Sequence, residues 1–386
     1  MILLWLAGAC LRLTVLAVPP VVPLLHADLH LSETDVGWLS SLPPLMFAIA
    51  AVPGSLLIAR FGLIPALLVG LLLVAAGSAA RAAIPQIFWL YGSTIVMAAG
   101  VSIMQPTMPP LVRAWFPQAT GFATAIYTNG LLLGEIIVTA ATIPLVLPLL
   151  HNSWRLDFLL WTAPVVATAV LIAIWAPRPA AIAPGKPSGG KPPVRSRWWP
   201  DWKDPLVWRL GLILGSVNTT YFVSNAFLPD YVTAAGRADL VSAALTALNF
   251  GQLPGSLVML MVAGRLVRRP AAYVVTALAS ILCLVGIMAT SGAWIVFWAG
   301  LLGFTLGIAL NLALALPPML SAPGDVHRVS AAMFTISYCF PVAVAVFGGW
   351  LWDVTHQPIA GLGLIVLFQF AVISVASTAR RPVADQ

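Results

Sequence analysis

One arginine sits where the surrounding sequence offers it no solvent. Arg12 lies about ten residues into the apolar run Ile2–Leu25, hence ~15 Å along a helix rising 1.5 Å per residue. A guanidinium near the middle of a bilayer costs ~2.5–3.5 kcal/mol even on insertion scales, and from that depth it cannot readily snorkel out. Its charge is permanent, and its fork of donors suits a small planar anion. The structural alternative is a pair with Glu135 or with backbone carbonyls. Intramembrane charge marks function more often than packing, which favours the anion.

Two further polar groupings have helical spacing. Asn218, Tyr221 and Asn225 stand at i, i+3 and i+7 and share one helix face. Such a stripe faces a cavity or another helix, not lipid; interhelical hydrogen bonding is the competing use. Glu135 is the one carboxylate expected well inside a span, with Thr124, Thr128, Thr139 and Thr142 near its face. Burial raises a carboxyl pKa and a nearby arginine lowers it, so Glu135 is a candidate proton carrier, with a static ion pair as the alternative. Gln105, Asn249, Gln252, Asn311 and Tyr338 are isolated mid-span polar residues that could line a cavity or act as helix glue. Arg81 and Arg155 are expected near the outer rim as interfacial anchors. The five histidines are expected in loops and show no metal-ligand spacing. Cys10, Cys283 and Cys339 fall in apolar runs and read as buried thiols rather than a disulfide or metal site. No catalytic constellation and no cofactor motif is visible.

The elements that must position these residues are membrane helices. Sixty per cent of the chain is hydrophobic and only eight per cent is charged, in long runs rather than the alternation of a barrel strand. Twelve spans are expected, with six before and six after one polar interval, residues 177–204. That interval is rich in Pro, Gly and basic residues and reads as a mobile linker. The domains are therefore 1–176, a six-helix bundle; 177–204, a basic cytoplasmic linker; and 205–386, a second six-helix bundle with a short tail. The first run has no basic n-region and is too long for a signal h-region, so it is expected to stay in the mature protein.

Charge sets the orientation. With the N-terminus inside, fifteen of the nineteen Lys and Arg residues fall on the cytoplasmic side, and only Arg81, Arg155 and Arg237 on the other. That satisfies the positive-inside rule and places both termini in the cytoplasm. The net charge of +7 is concentrated in the linker, favouring contact with anionic lipid over nucleic acid. The halves also echo each other. Pro53-Gly54-Ser55-Leu56 and Pro254-Gly255-Ser256-Leu257 each precede a basic turn, and Pro109-Pro110 matches Pro317-Pro318. Three matches in one order indicate a parallel six-plus-six repeat.

These features resemble the major facilitator superfamily. Ser55, Ala59, Arg60 and Gly62 occupy the places of its Gly-x-x-x-Asp-Arg-x-Gly turn after span two, without the acidic member. The chain further resembles the cyanate and nitroimidazole transporter branch. That likeness rests on Leu11-Arg12 with Pro23, Gly77-Ser78-Ala79-Ala80-Arg81, Gln105, and Asn218, Tyr221 and Leu228-Pro229. Gly121, Gly130 and Gly134 resemble part of the span-five glycine motif of drug/proton antiporters, although Glu135 stands where that motif has Pro. The resemblance implies an all-α membrane protein of twelve helices in two pseudo-symmetric six-helix bundles.

The expected function is then carriage of a small solute by alternating access, the halves rocking about a midplane site. The substrate expected is a small anion or small planar polar compound such as cyanate. Arg12, Asn218, Tyr221, Gln105, Gln252 and Asn311 are the expected binding residues, and Glu135 the proton-coupling residue. A proton is the expected coupling partner, lipid the surroundings, and a monomer the working unit. A proton-coupled multidrug exporter is the alternative. A membrane enzyme or sensor is the third class; it lacks a zinc-binding HExxH, a nucleotide loop or an appended soluble domain.

Overall fold

The computed structural model describes residues 1–31, 33–177, 198–355, 357 and 359–377. Most of the linker and the basic pair Arg380-Arg381 lie outside the described residues. The helices are, in order, α1 (Ile2–Cys10), α2 (Val22–Leu29), α3 (Glu33–Phe61), α4 (Leu63–Arg81), α5 (Ile87–Trp115), α6 (Thr120–Ala141) and α7 (Leu147–Leu149). They continue with α8 (Trp154–Trp175), α9 (Pro205–Ala234), α10 (Val241–Leu266), α11 (Pro270–Ala289), α12 (Ala293–Leu320), α13 (Val326–Thr355) and α14 (Ile359–Val375). Ten helical stretches among the described residues are long and apolar enough to cross a membrane.

By contact the chain divides into two compact units. One comprises Met1–Pro117, Asn129–Asp201 and Pro323–Ala332; the other Gln118–Thr128, Trp202–Ala322 and Met333–Gln386. Within the first, α3 and α4 pack on α5, while α8 packs on α4 and α1. Within the second, α10 and α11 pack on α12, while α14 packs on α11 and α9. Each pairing thus recurs six spans later, which is the pseudo-symmetry of the expected fold. The repeated tetrapeptide shows its cause. A Cβ on Gly54 would lie 3.0 Å from the Ile103 Cα on α5, and one on Gly255 would overlap the Phe304 carbonyl on α12. Only glycine lets the backbones approach that closely at either place.

Two expected spans are not continuous helices. The first stops at Cys10 and passes through turns from Leu11 to Ala17 before a short 3-10 turn, Pro19–Val21, leads into α2. Pro19 and Pro20 remove two successive N–H donors and so take the helical partners from the carbonyls of Val15 and Leu16, at the end of this stretch. The fifth loosens into a π-turn at Thr142–Val146, around Pro144, before α7. The two irregular stretches lie against each other.

Several loop and cap contacts follow from local chemistry. Ser55 Oγ donates to the Trp198 carbonyl at 2.8 Å, tying the linker's end to α3. Arg155 pairs with Asp28 at 2.8 Å and lies over the Trp154 ring, as an interfacial residue would. Arg237 pairs with Asp239 in the turn before α10. Hydrogen bonding holds the Arg237 pKa up and that of Asp239 down, but a pair this exposed adds little stability.

The structure corrects three expectations. All three cysteines are free, but Cys339 is exposed rather than buried. His26 lies within α2 and His327 in the first turn of α13, not in loops. His356 falls outside the described residues.

Candidate functional site

Arg12 lies in the unwound stretch just past α1 and is half-buried. Its N–H donates to the Ala9 carbonyl at 3.1 Å, and its own carbonyl accepts from Leu16. Glu135 is on α6, 7 % exposed, and its carbonyl accepts from Thr139 Oγ1 at 2.9 Å. Both side chains have protein partners. Just N-terminal to Glu135, Gly130 and Gly134 meet α1 without side chains between them. A Cβ on Gly130 would overlap the Trp5 carbonyl, and one on Gly134 would lie 2.6 Å from that of Ala9. The glycine spacing therefore has a packing cause, the seating of α1 on α6. Trp5 Nε1 donates to Asn129 Oδ1 at 3.1 Å across the same seam. Gln105 is buried on α5, with Oε1 lacking a hydrogen bond.

In the second unit, Asn218 is 6 % exposed on α9 and donates to Ser337 Oγ on α13 at 3.2 Å. Tyr221 is half-buried one turn on, its ring edge-to-face with Phe222. Phe222 in turn meets Tyr338, which stacks on Phe334. Asn225 and Asn249 are joined at 2.9 Å, linking α9 to α10. The polar stripe of α9 thus joins neighbouring helices at Asn218 and Asn225, and presents Tyr221 beside an aromatic group. Gln252 and Asn311 gather about Gly307, where α10 and α12 cross. Asn311 donates to Gly307 O at 2.8 Å and to Ser256 Oγ at 3.4 Å, while Gln252 Nε2 is buried without a partner.

The structure adds two buried charged residues, one that the sequence reading placed at the rim and one that it did not single out. Arg81 is not an interfacial anchor: it is 0 % exposed at the end of α4. Asp157, in the first turn of α8, is also 0 % exposed. Arg81 Nη2 donates to the Thr14 carbonyl at 2.9 Å and to Ser78 Oγ at 3.0 Å. Its guanidinium carbon lies 4.4 Å from the Phe158 ring centroid, a contact worth roughly 0.5–2 kcal/mol. Asp157 Oδ1 accepts from Trp161 Nε1 at 3.0 Å, which also reaches Thr142 Oγ1 at 3.0 Å. Thr162 Oγ1 lies 2.8 Å from Ser78 Oγ, closing the network. Arg81 Nε and Nη1 and Asp157 Oδ2 have no hydrogen-bond partner. The local signals were the i, i+3 spacing of Ser78 and Arg81 and the i, i+4 spacing of Asp157 and Trp161. Among the described residues, no cluster could hold a metal ion.

Comparison with known proteins places these elements in a family. The model of the Major Facilitator Superfamily matches residues 4–346. The cyanate transport protein CynX of Escherichia coli (strain K12) is 27 % identical, covering 95 % of this chain and 95 % of its own. The 2-nitroimidazole transporter of the same organism is 26 % identical over 79 % of this chain and 75 % of its own. The crystal structure of the E. coli fucose:proton symporter FucP superposes with a TM-score of 0.75 at 15 % identity, covering 99 % of both chains, and carries the fold alone. This chain, a multi-pass membrane protein and not an enzyme, belongs to the Major Facilitator Superfamily and carries small solutes.

Proposed function

We propose that the solute is a small anion or small planar polar compound of the cyanate kind, carried by alternating access. The observation that carries the reading is Arg12, a permanently charged fork on the interrupted part of the first span. A guanidinium has five N–H donors, so it can keep a protein partner and still engage an anion. The likeness to CynX supports the same chemistry. The seating of Gly130 and Gly134 on α1 gives their spacing a packing cause, so that spacing does not by itself favour the drug-exporter alternative. Asn218, Tyr221, Gln105, Gln252 and Asn311 are proposed to contact the solute, and Glu135 to carry a coupling proton. The carrier is read as a monomer in a lipid bilayer, with both termini and the basic linker cytoplasmic.

Purified protein should be stabilised against heat by cyanate and not by a lipophilic cation such as tetraphenylphosphonium. The reverse pattern would move the exporter reading to first place. In the same assay, Asn218→Ala and Tyr221→Phe should each weaken cyanate binding by ~1–3 kcal/mol, the cost of an unmatched buried polar group. Unchanged affinity in both would leave them as packing residues.

Orientation has its own test. Single cysteines at Lys186→Cys and His151→Cys, with Cys10, Cys283 and Cys339 replaced by serine, should label from opposite sides of the membrane. Labelling of both from outside intact cells would refute the twelve-span orientation.

A further inference from the structure

The buried network around Arg81 joins four separate pieces of the first unit. They are the unwound stretch after α1 (Thr14), the end of α4 (Ser78 and Arg81), the π-turn after α6 (Thr142), and the start of α8 (Asp157 to Thr162). Unwinding a helix inside a membrane frees carbonyls that neither water nor lipid can satisfy. Here the Thr14 carbonyl is satisfied by a side chain that lies 67 positions away in sequence. That donor is a fully buried cation whose charge is met by the Phe158 ring face and by the electrostatic attraction of Asp157. Burying a cation solely to tie one carbonyl would be costly packing. The expense is intelligible if the geometry of this stretch matters, and the stretch holds Arg12, two residues before Thr14.

We propose that Arg81 is a positioning residue: its guanidinium clamps the unwound Leu11–Ala17 stretch and thereby sets where Arg12 presents its charge to the transported anion. The anion part of this proposal rests on the reading of Arg12 given above; the clamp stands on the Arg81–Thr14 geometry alone. Asp157, held by Trp161, serves as the fixed counter-charge that keeps the guanidinium in place.

The test uses the full-length purified protein with cyanate as probe. Hydrogen–deuterium exchange of the peptide spanning residues 11–17 should quicken roughly tenfold in Arg81→Gln, while helices of the second unit stay unchanged. Cyanate affinity should fall roughly tenfold. Arg81→Lys, which keeps a charged donor able to reach one acceptor, should recover part of both. A residue acting through Arg12 should also be non-additive with it: Arg81→Gln with Arg12→Gln should bind cyanate no more weakly than Arg12→Gln alone. A merely structural role would make the two losses add, and that result would overturn the positioning role. Unchanged exchange in residues 11–17 would overturn the clamp. Faster exchange with cyanate binding intact in both Arg81→Gln and Arg12→Gln would uphold the clamp and remove the anion reading of Arg12. If Arg81→Gln is not monodisperse, because Asp157 is left as a buried charge, Arg81→Gln with Asp157→Asn removes both charges and takes its place.

Discussion

Arg12→Gln should bind cyanate about 2–5 kcal/mol more weakly than the parent protein, roughly thirty- to several-thousand-fold, the range seen when one partner of a buried hydrogen-bonded charge pair is truncated. Glutamine removes the charge, shortens the side chain and leaves two N–H donors of five, so the loss measures charge and fork together. Arg12→Lys keeps the charge and loses the fork; its affinity should lie between the two. Equilibrium binding on monodisperse protein decides it. The unwound position of Arg12 strengthens the expectation, because a side chain on a non-helical stretch is not locked into a helix's repeat of packing contacts. Parent-like affinity in Arg12→Gln would make Arg12 structural and move the exporter reading to first place.

Glu135→Gln should abolish concentrative uptake of cyanate while leaving counterflow exchange intact. Glutamine mimics the protonated carboxyl, so the solute cycle can continue while the proton cycle cannot. Glu135 is buried on α6, four residues before Thr139 and one after Gly134, where that helix meets α1. Asp157, also buried, supplies the control. If proton coupling runs through Glu135, Asp157→Asn retains concentrative uptake, even where it slows it. Loss of accumulation in Asp157→Asn, with Glu135→Gln still concentrating cyanate, would transfer coupling to the Arg81 network. Uptake in reconstituted vesicles under an imposed proton gradient measures both.

Depth in the membrane was legible in the residues themselves. Continuous apolar runs marked the spans, and α12 is one unbroken helix over such a run, Ala293–Leu320. The repeat was legible too, because Gly54 and Gly255 meet equivalent helices for the same steric reason. Arg12 stood out since a charge in an apolar run is anomalous in one dimension. What hydropathy does not encode is azimuth: which face of a helix turns inward and which neighbour it meets. Arg81 and Asp157 look like rim residues by their position near span ends, yet both are enclosed because α4 and α8 turn those faces toward each other. Spacing placed Asn218 on the polar face of α9, but not its neighbour: its amide donates to Ser337, 119 positions away. The break after Cys10 was not legible in the apolar run, and there the Thr14 carbonyl is met by Arg81, 67 positions away. Prolines can forbid a helix locally, but a freed carbonyl in a membrane needs a donor, and only the tertiary packing of distant helices could bring one.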